Sequence, residues 1–271
     1  MQTMSVVQSV ILGALQGITE FLPVSSSGHL VIFRDFLGIR GIPLFYDVVL
    51  HVATLLVIIY VFRSRIAQLL TSLWLLLALK IPQQHSREHR ENIRVVVMII
   101  IATAVTAAVG LAASSAVGNM PVRAVYVMFL VTSAILIAGR WGRGSRLLKE
   151  VTPGISVIVG ASQGLGTLPG ISRSGITISA SLLCGMDRKA AGELSFLISL
   201  PAVLGALILE VLTSPGLGET VSAQALAAGF AAAAVTGFLS LKLLLYLVRE
   251  GRLYLFSCYL VPLGLYGLFF R

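Results

Sequence analysis

A chain of 271 residues in which 57% are hydrophobic and only 11% charged, with a mean hydropathy of +0.95, stands far from the roughly 25% charged residues of a typical soluble domain and reads as an integral membrane protein. Its net charge of +9 would suggest nucleic acid as a partner in a soluble protein. Here the Lys and Arg residues fall mostly between apolar runs, where they set orientation and attract anionic membrane lipids, so no nucleic-acid partner is expected.

The first predicted element, about 1–36, is apolar but broken at "LPVSSSGH". Its opening "MQTMSVVQSVILGALQG" has neither the basic n-region nor the small-residue cleavage site of a signal peptide, and is expected to belong to the mature fold. Spans follow at roughly 45–62, 95–118 and 123–139. Between the first two, "IAQLLTSLWLLLALKI" at 66–81, flanked by Arg63, Arg65, Lys80 and Arg87, competes for a seventh span but is somewhat short, and is expected instead to lie along the membrane interface. A second broken element, about 153–186, is interrupted at "TLPGISRSG", and spans at 190–212, 223–248 and 254–270 complete the chain. Irregular backbone at membrane depth is tolerated only where it is buried in protein or lines a watery cavity. The prediction is therefore one all-α membrane domain over 1–271, with about six transmembrane helices and two re-entrant helix-loop-helix elements.

The basic residues give the orientation. Arg63 to Arg94, Arg140 to Lys149, Arg188 with Lys189, and Arg249 with Arg252 mark four loops expected to be cytoplasmic, while the alternate loop at 213–223 has no Lys or Arg. This puts the first broken element on the outer side and the second on the inner side, with three spans between them.

Shifting the sequence by 147 residues lays "GALQGITEFLPVSSSGH", 13–29, over "GASQGLGTLPGISRSGI", 160–176, with seven of 17 positions identical. An odd number of intervening spans makes the two copies enter from opposite faces, an inverted-topology repeat with repeat one about 1–140 and repeat two about 150–271. The two breaks are expected to meet near the middle of the membrane, Gln16 to His29 facing Ser172 to Thr177.

Gln16 and Glu20 lie one helical turn apart, so both side chains can face one cavity. Glu20 reads either as a structural partner of Arg173 or, with Gln16, as a holder of a divalent cation, Mg²⁺ or Ca²⁺, or of a water set against a phosphoryl group. Arg173 is the only charge in its segment, and its planar fork matches phosphate oxygens. The hydroxyls of Ser172, Ser174 and Thr177, with nearby Gly amides, can form an anion-binding nest or bond helix carbonyls. Asp47 and His51, one turn apart, are left open between packing and function. Glu193 is expected to support the site from behind and Glu210 to sit at the outer interface, while Trp74 and Trp141, beside the basic loops, read as interfacial anchors. Cys184 and Cys258 read as packing residues.

Taken together, "QGITEFLPVSSSGH" and "PGISRSGITIS" closely resemble the two signatures of the undecaprenyl-diphosphate phosphatase family, known for bacitracin resistance, and the likeness runs over nearly the whole chain. The resemblance implies six spans with two re-entrant elements, location in the bacterial cytoplasmic (inner) membrane, and hydrolysis of undecaprenyl diphosphate to undecaprenyl phosphate and phosphate, which recycles the lipid carrier of cell-wall synthesis. It implies Glu20, Ser26, His29 and Arg173 as catalytic residues: Ser26 as nucleophile or direct phosphate ligand and His29 as general base or acid. Gln16, Ser27, Ser172, Ser174 and Thr177 would bind substrate, with Glu20 and Gln16 at a metal. Gln16 stands where many relatives carry glutamate, which leaves the metal's hold open. A homodimer is compatible with this reading. The alternative is a lipid-phosphate carrier or flippase built on the same repeat. The type 2 phosphatidic acid phosphatases need a His and an Asp after the arginine, and "SRSGITISASLLCG" has neither.

Overall fold

The structure is a computed structural model that describes residues 4–36, 44–78, 86–117, 120–213 and 221–270. Lys80, most of the loop at 213–223 and the side chain of Glu210 lie outside the described residues. Among the described residues the chain forms ten α-helices and no strand: α1 (Val6–Phe21), α2 (Ser26–Phe36), α3 (Leu44–Leu77), α4 (Ser86–Val117), α5 (Val122–Gly139), α6 (Pro153–Leu165), α7 (Arg173–Leu183), α8 (Arg188–Thr213), α9 (Ala223–Arg249) and α10 (Ser257–Phe270). Six segments, within α3, α4, α5, α8, α9 and the stretch ending in α10, are long and apolar enough to cross a membrane. The multi-pass all-helical class predicted from the sequence is therefore found.

The helix starts follow local chemistry. Ser5 and Gln8 form a capping box at α1, and Thr152 caps α6 with Pro153 at its first position. Ser172 caps α7 and Ser222 caps α9. Each side-chain oxygen accepts from one of the first-turn amides that a helix cannot satisfy internally.

One expectation is corrected. The stretch 66–81 is no separate interfacial helix: as far as Leu77 it continues α3, an uninterrupted helix of 34 residues. Nothing between Leu44 and Leu77 is Gly or Pro, so no residue stops the helix where it leaves the hydrocarbon. At 1.5 Å per residue it reaches about 51 Å, well past a core of about 30 Å. The surplus packs against the start of α4 through polar bonds: Arg65 Nη1 donates to Asn92 Oδ1 at 2.8 Å, and Asn92 Nδ2 to Ser72 Oγ at 3.0 Å.

Two short helices are held against long ones by close backbone approach. Gly13 of α1 lies on the backbone of Gly229 in α9, and Gly160 of α6 on the carbonyl of Ala102 in α4, with no room for a Cβ at either place. Small residues of this kind let helices approach closely in a membrane, where van der Waals packing rather than the hydrophobic effect holds them. Phe21, Phe129, Leu136, Ile178, Leu194, Leu241 and Leu244 form the buried core around the ends of these short helices.

Candidate active site

Both broken elements break where expected. α1 stops at Phe21 and α2 starts at Ser26; α6 stops at Leu165 and α7 starts at Arg173. The first break closes on Ser25, a non-glycine residue at φ 71°, and the second on Gly170 at φ +95°. Left-handed backbone at serine persists only when the surroundings determine it, and here the Ser25 hydroxyl is fixed from two sides. It accepts from Gly170 N at 3.0 Å and from Gly28 N at 3.3 Å. In the other direction Ser174 Oγ donates to the carbonyl of Phe21 at 2.9 Å. The two breaks are thus bonded to each other, and α5 clamps the second through Thr132, whose Oγ1 donates to Gly170 O at 2.8 Å and accepts from Ser172 N at 3.1 Å.

A cavity of about 260 Å³ lies beside this junction. Its wall holds Glu20, Ser26, Ser27, Ser172 and Arg173 of the predicted set. Glu20, almost fully buried, is their centre: Arg173 Nη2 pairs with its Oε1, while Ser26 Oγ donates to Oε2 at 2.6 Å and Gln16 Nε2 to the same oxygen at 3.0 Å. The ion pair foreseen as a purely structural alternative exists, and it lies on the cavity wall rather than away from it. Ser26 and Arg173 are each the first residue of a helix. The positive ends of α2 and α7 and their unsatisfied amides therefore face one space, the arrangement that binds anions.

Four predicted residues stand off the cavity wall. Gln16 is fully buried behind Glu20 and spends its amide nitrogen on Glu20 and on His51 Nδ1 at 3.1 Å. His29 lies on the far side of α2, toward α5 and α10, with Nδ1 2.8 Å from the Ser25 carbonyl and Nε2 2.8 Å from the Tyr259 hydroxyl. Ser174 serves the junction, and Thr177 Oγ1 donates to the Arg173 carbonyl at 2.8 Å and meets Ser195 Oγ at 2.6 Å. Ser172 does line the cavity, but its Oγ accepts from Gly175 N at 3.1 Å as a helix cap. Of the two readings of these hydroxyls, the structure shows bonds to backbone: caps and ties that shape the breaks. Glu193 is likewise elsewhere, paired with Arg65 at 3.0 Å near the basic loops.

The model of a protein family described as "Bacitracin resistance protein BacA" matches residues 9–266. The chain belongs to that family. It is 44% identical over 262 residues to an undecaprenyl-diphosphatase of Treponema denticola, covering 97% of this chain and 96% of the relative. A protein of that name from Desulfatibacillum aliphaticivorans is 40% identical over 93% of this chain and 94% of its own, and one from Korarchaeum cryptofilum 38% over 97% and 98%. The matched stretch includes both breaks.

The structure adds residues to the wall that the sequence did not single out. Thr19, Thr106, Gln163, Gly166, Thr167 and Ile171 line the cavity, as do Ala202, Val203, Ala206 and Leu207 of α8. For Gln163 the repeat was a usable signal, since it matches Gln16; Thr106, remote in sequence, offered none. His51, left open between packing and function, lines the cavity too. It lies in the first third of α3, and the α8 residues lie in the second half of that helix, in both cases away from the ends marked by Arg63 and Arg188.

Proposed function

We propose that this chain hydrolyses undecaprenyl diphosphate to undecaprenyl phosphate and phosphate in the cytoplasmic membrane of a bacterium, returning the lipid carrier to cell-wall synthesis. The name shared by the relatives supports the reaction, and one observation carries the site. Glu20 is held between the Arg173 guanidinium and the Ser26 hydroxyl, on a cavity wall capped by two helix N-termini. At about 30 Å³ per water, 260 Å³ holds fewer than about ten waters: room for a diphosphate headgroup, with the prenyl tail left to the lipid.

Arg173, with five donors, can keep Glu20 and still grip a phosphate oxygen, and the first-turn amides of α2 and α7 hold the rest. Ser26 Oγ attacks the terminal phosphorus as its proton passes to Glu20; the bond to the lipid phosphate breaks, and that group leaves with the proton. Water then attacks the phosphoserine and gives a proton to Glu20, which returns it to Ser26 as phosphate departs. Charge growing on the transferred phosphoryl oxygens is met by Arg173, already oriented by Glu20.

Among the described residues no three His, Cys, Asp or Glu side chains converge as a metal cage, and Gln16 turns its donor, not its oxygen, toward Glu20. The donor set suits a divalent cation that arrives with the diphosphate, held by Glu20, phosphate oxygens and water, as Mg²⁺ commonly is. Such an ion would neutralise substrate charge.

The finer architecture belongs to the same proposal. Each broken element is a re-entrant hairpin, and the halves are inverted repeats; the reciprocal packing of α1 on α9 and of α6 on α4 supports this. The opening of the cavity toward the outer face belongs to the same reading: the family resemblance implies it, and the lining residues of α3 and α8 lie away from Arg63 and Arg188, which supports it.

The test is phosphate release from undecaprenyl diphosphate by purified protein, wild type against Arg173→Ala and Glu20→Ala, with folding followed by thermal unfolding in detergent. Folded variants of full activity would overturn the site, and an inactive wild type would favour the carrier.

A further inference from the structure

His51 sits on α3, outside both breaks, yet it reaches the centre of the site. The buried amide of Gln16 has two hydrogens and two acceptors: Glu20 Oε2 at 3.0 Å and His51 Nδ1 at 3.1 Å. At 3.8 Å Glu20 is too far to bond the ring itself, so Gln16 is the partner of Nδ1. An amide N–H leaves Nδ1 no role but acceptor. The ring's proton is then on Nε2. With Nδ1 spent on the wall and about a third of the side chain exposed at a residue that lines the cavity, at 32%, Nε2–H is the group that remains to meet a ligand.

The same shift of 147 residues shows what a merely structural solution looks like. It places Gln163 at the position of Gln16 and Ile198 at that of His51. Gln163 Nε2 donates to Thr106 Oγ1 at 3.1 Å and to the backbone carbonyl of Ile198 at 3.2 Å. The amide hydrogens of the second glutamine are taken by a threonine hydroxyl and a backbone carbonyl, so holding a glutamine NH₂ at this depth does not need an imidazole. The first half spends a polar, cavity-facing ring where an isoleucine would serve.

We propose that His51 is a further phosphate-binding residue, its Nε2–H presented to a diphosphate oxygen because Gln16 holds Nδ1. This rests on the function proposed above. In that site the Arg173 side takes one flank of the headgroup and His51 the flank nearer the rim. A neutral N–H donor there adds a hydrogen bond without adding a cation beside Arg173.

Two measurements decide it. The first compares kcat and KM for phosphate release, and inhibition by inorganic diphosphate, in wild type, His51→Leu and His51→Gln. Loss of one hydrogen bond to a charged group predicts that His51→Leu raises KM and the inhibition constant about tenfold, with kcat changed less and with most of the affinity restored in His51→Gln, which keeps a donor and an acceptor. Unchanged KM and inhibition in a folded His51→Leu, or a loss confined to kcat, overturns the proposal. The second needs no variant to be active: ¹⁵N NMR of the histidines at alkaline pH, with His51 assigned by its absence in His51→Gln. The Nε2–H tautomer is expected in wild type, and the Nδ1–H tautomer would refute the assignment. An inactive wild type would instead strike the function proposed above, leaving the tautomer result readable.

Discussion

The two breaks share a sequence pattern, with seven of 17 positions identical, yet carry different side chains toward the cavity. Ser25 and Ser172 stand at matched positions, as do Ser27 with Ser174 and Gly28 with Gly175. Both serines that precede the short return helices act on backbone: Ser25 accepts from Gly28 N and Ser172 from Gly175 N. The matched positions that differ are the ones on the cavity. Glu20 faces Thr167 in the register, Ser26 faces Arg173, and His51 faces Ile198. The two breaks set a pair of helix N-termini, at Ser26 and Arg173, beside one cavity, an arrangement that favours anions before any charged side chain is added. The carboxylate and hydroxyl, Glu20 and Ser26, stand at the first break and the guanidinium of Arg173 at the second, so the ion pair joins the two.

The strongest way to break this division of labour is to empty the second half. Arg173→Ala is expected to lower kcat by about 10³-fold, the scale of losing a main electrostatic contact to the transition state. Arg173→Lys should recover little, because a point charge cannot replace the planar fork that holds Glu20 and a phosphate together. Emptying the first half of its hydroxyl comes next: Ser26→Ala is expected to cost roughly 10²-fold in kcat, and to abolish labelling of the protein by substrate phosphorus under rapid quench. A fully active Ser26→Ala would transfer the attack to water and leave Ser26 as a ligand.

Much of this was legible in the sequence because it is written in local terms. Hydropathy places six spans, and Pro, Gly and Ser place both breaks, since these residues act on their own backbone. What was not legible depends on distant packing. His29 stands beside the serines in sequence, but helical geometry carries it around α2 to Tyr259 on α10, while His51, which sequence proximity would discount, is brought to Glu20 by α3. Thr177 looked like part of an anion site and instead bonds the turn below it, as a helical threonine can. The 66–81 stretch was misjudged because its charged flanks resemble an interface segment, whereas continuity of the helix is decided by the absence of a breaker and by α4 lying alongside.

A smaller change sharpens the comparison at Gln16. Gln16→Glu puts a second carboxylate one turn from Glu20, so divalent-ion activation should tighten a few-fold, at the scale of one added oxygen ligand. The substitution also removes the N–H that bonds His51 Nδ1. An unchanged metal titration would take position 16 out of any ion site. At the junction, Ser25→Ala leaves the buried amide of Gly170 without its acceptor, and a loss of about 1–3 kcal/mol is expected for such a group. Chemical or thermal unfolding in detergent would measure it.

The least effect is expected where polar residues are just as numerous but face the basic loops. Arg65 bonds Glu193 at 3.0 Å and Asn92 at 2.8 Å, joining α3, α8 and α4 at the ends away from the cavity rim. Both members of the ion pair are partly exposed, at 24% and 21%, so water competes for them and the pair is worth under about 1 kcal/mol. Arg65→Met keeps the aliphatic stem and discards the charge. Stability should fall slightly, and kcat/KM should stay at the wild-type value, because neither residue reaches the cavity. If activity dropped while the unfolding transition held its place, Glu193 would have to act on the second break through α8, and the separation between the proposed site and the Arg65 cluster would fail. The result therefore tests the boundary of the site from outside, where the substitutions at Arg173 and Ser26 test it from within.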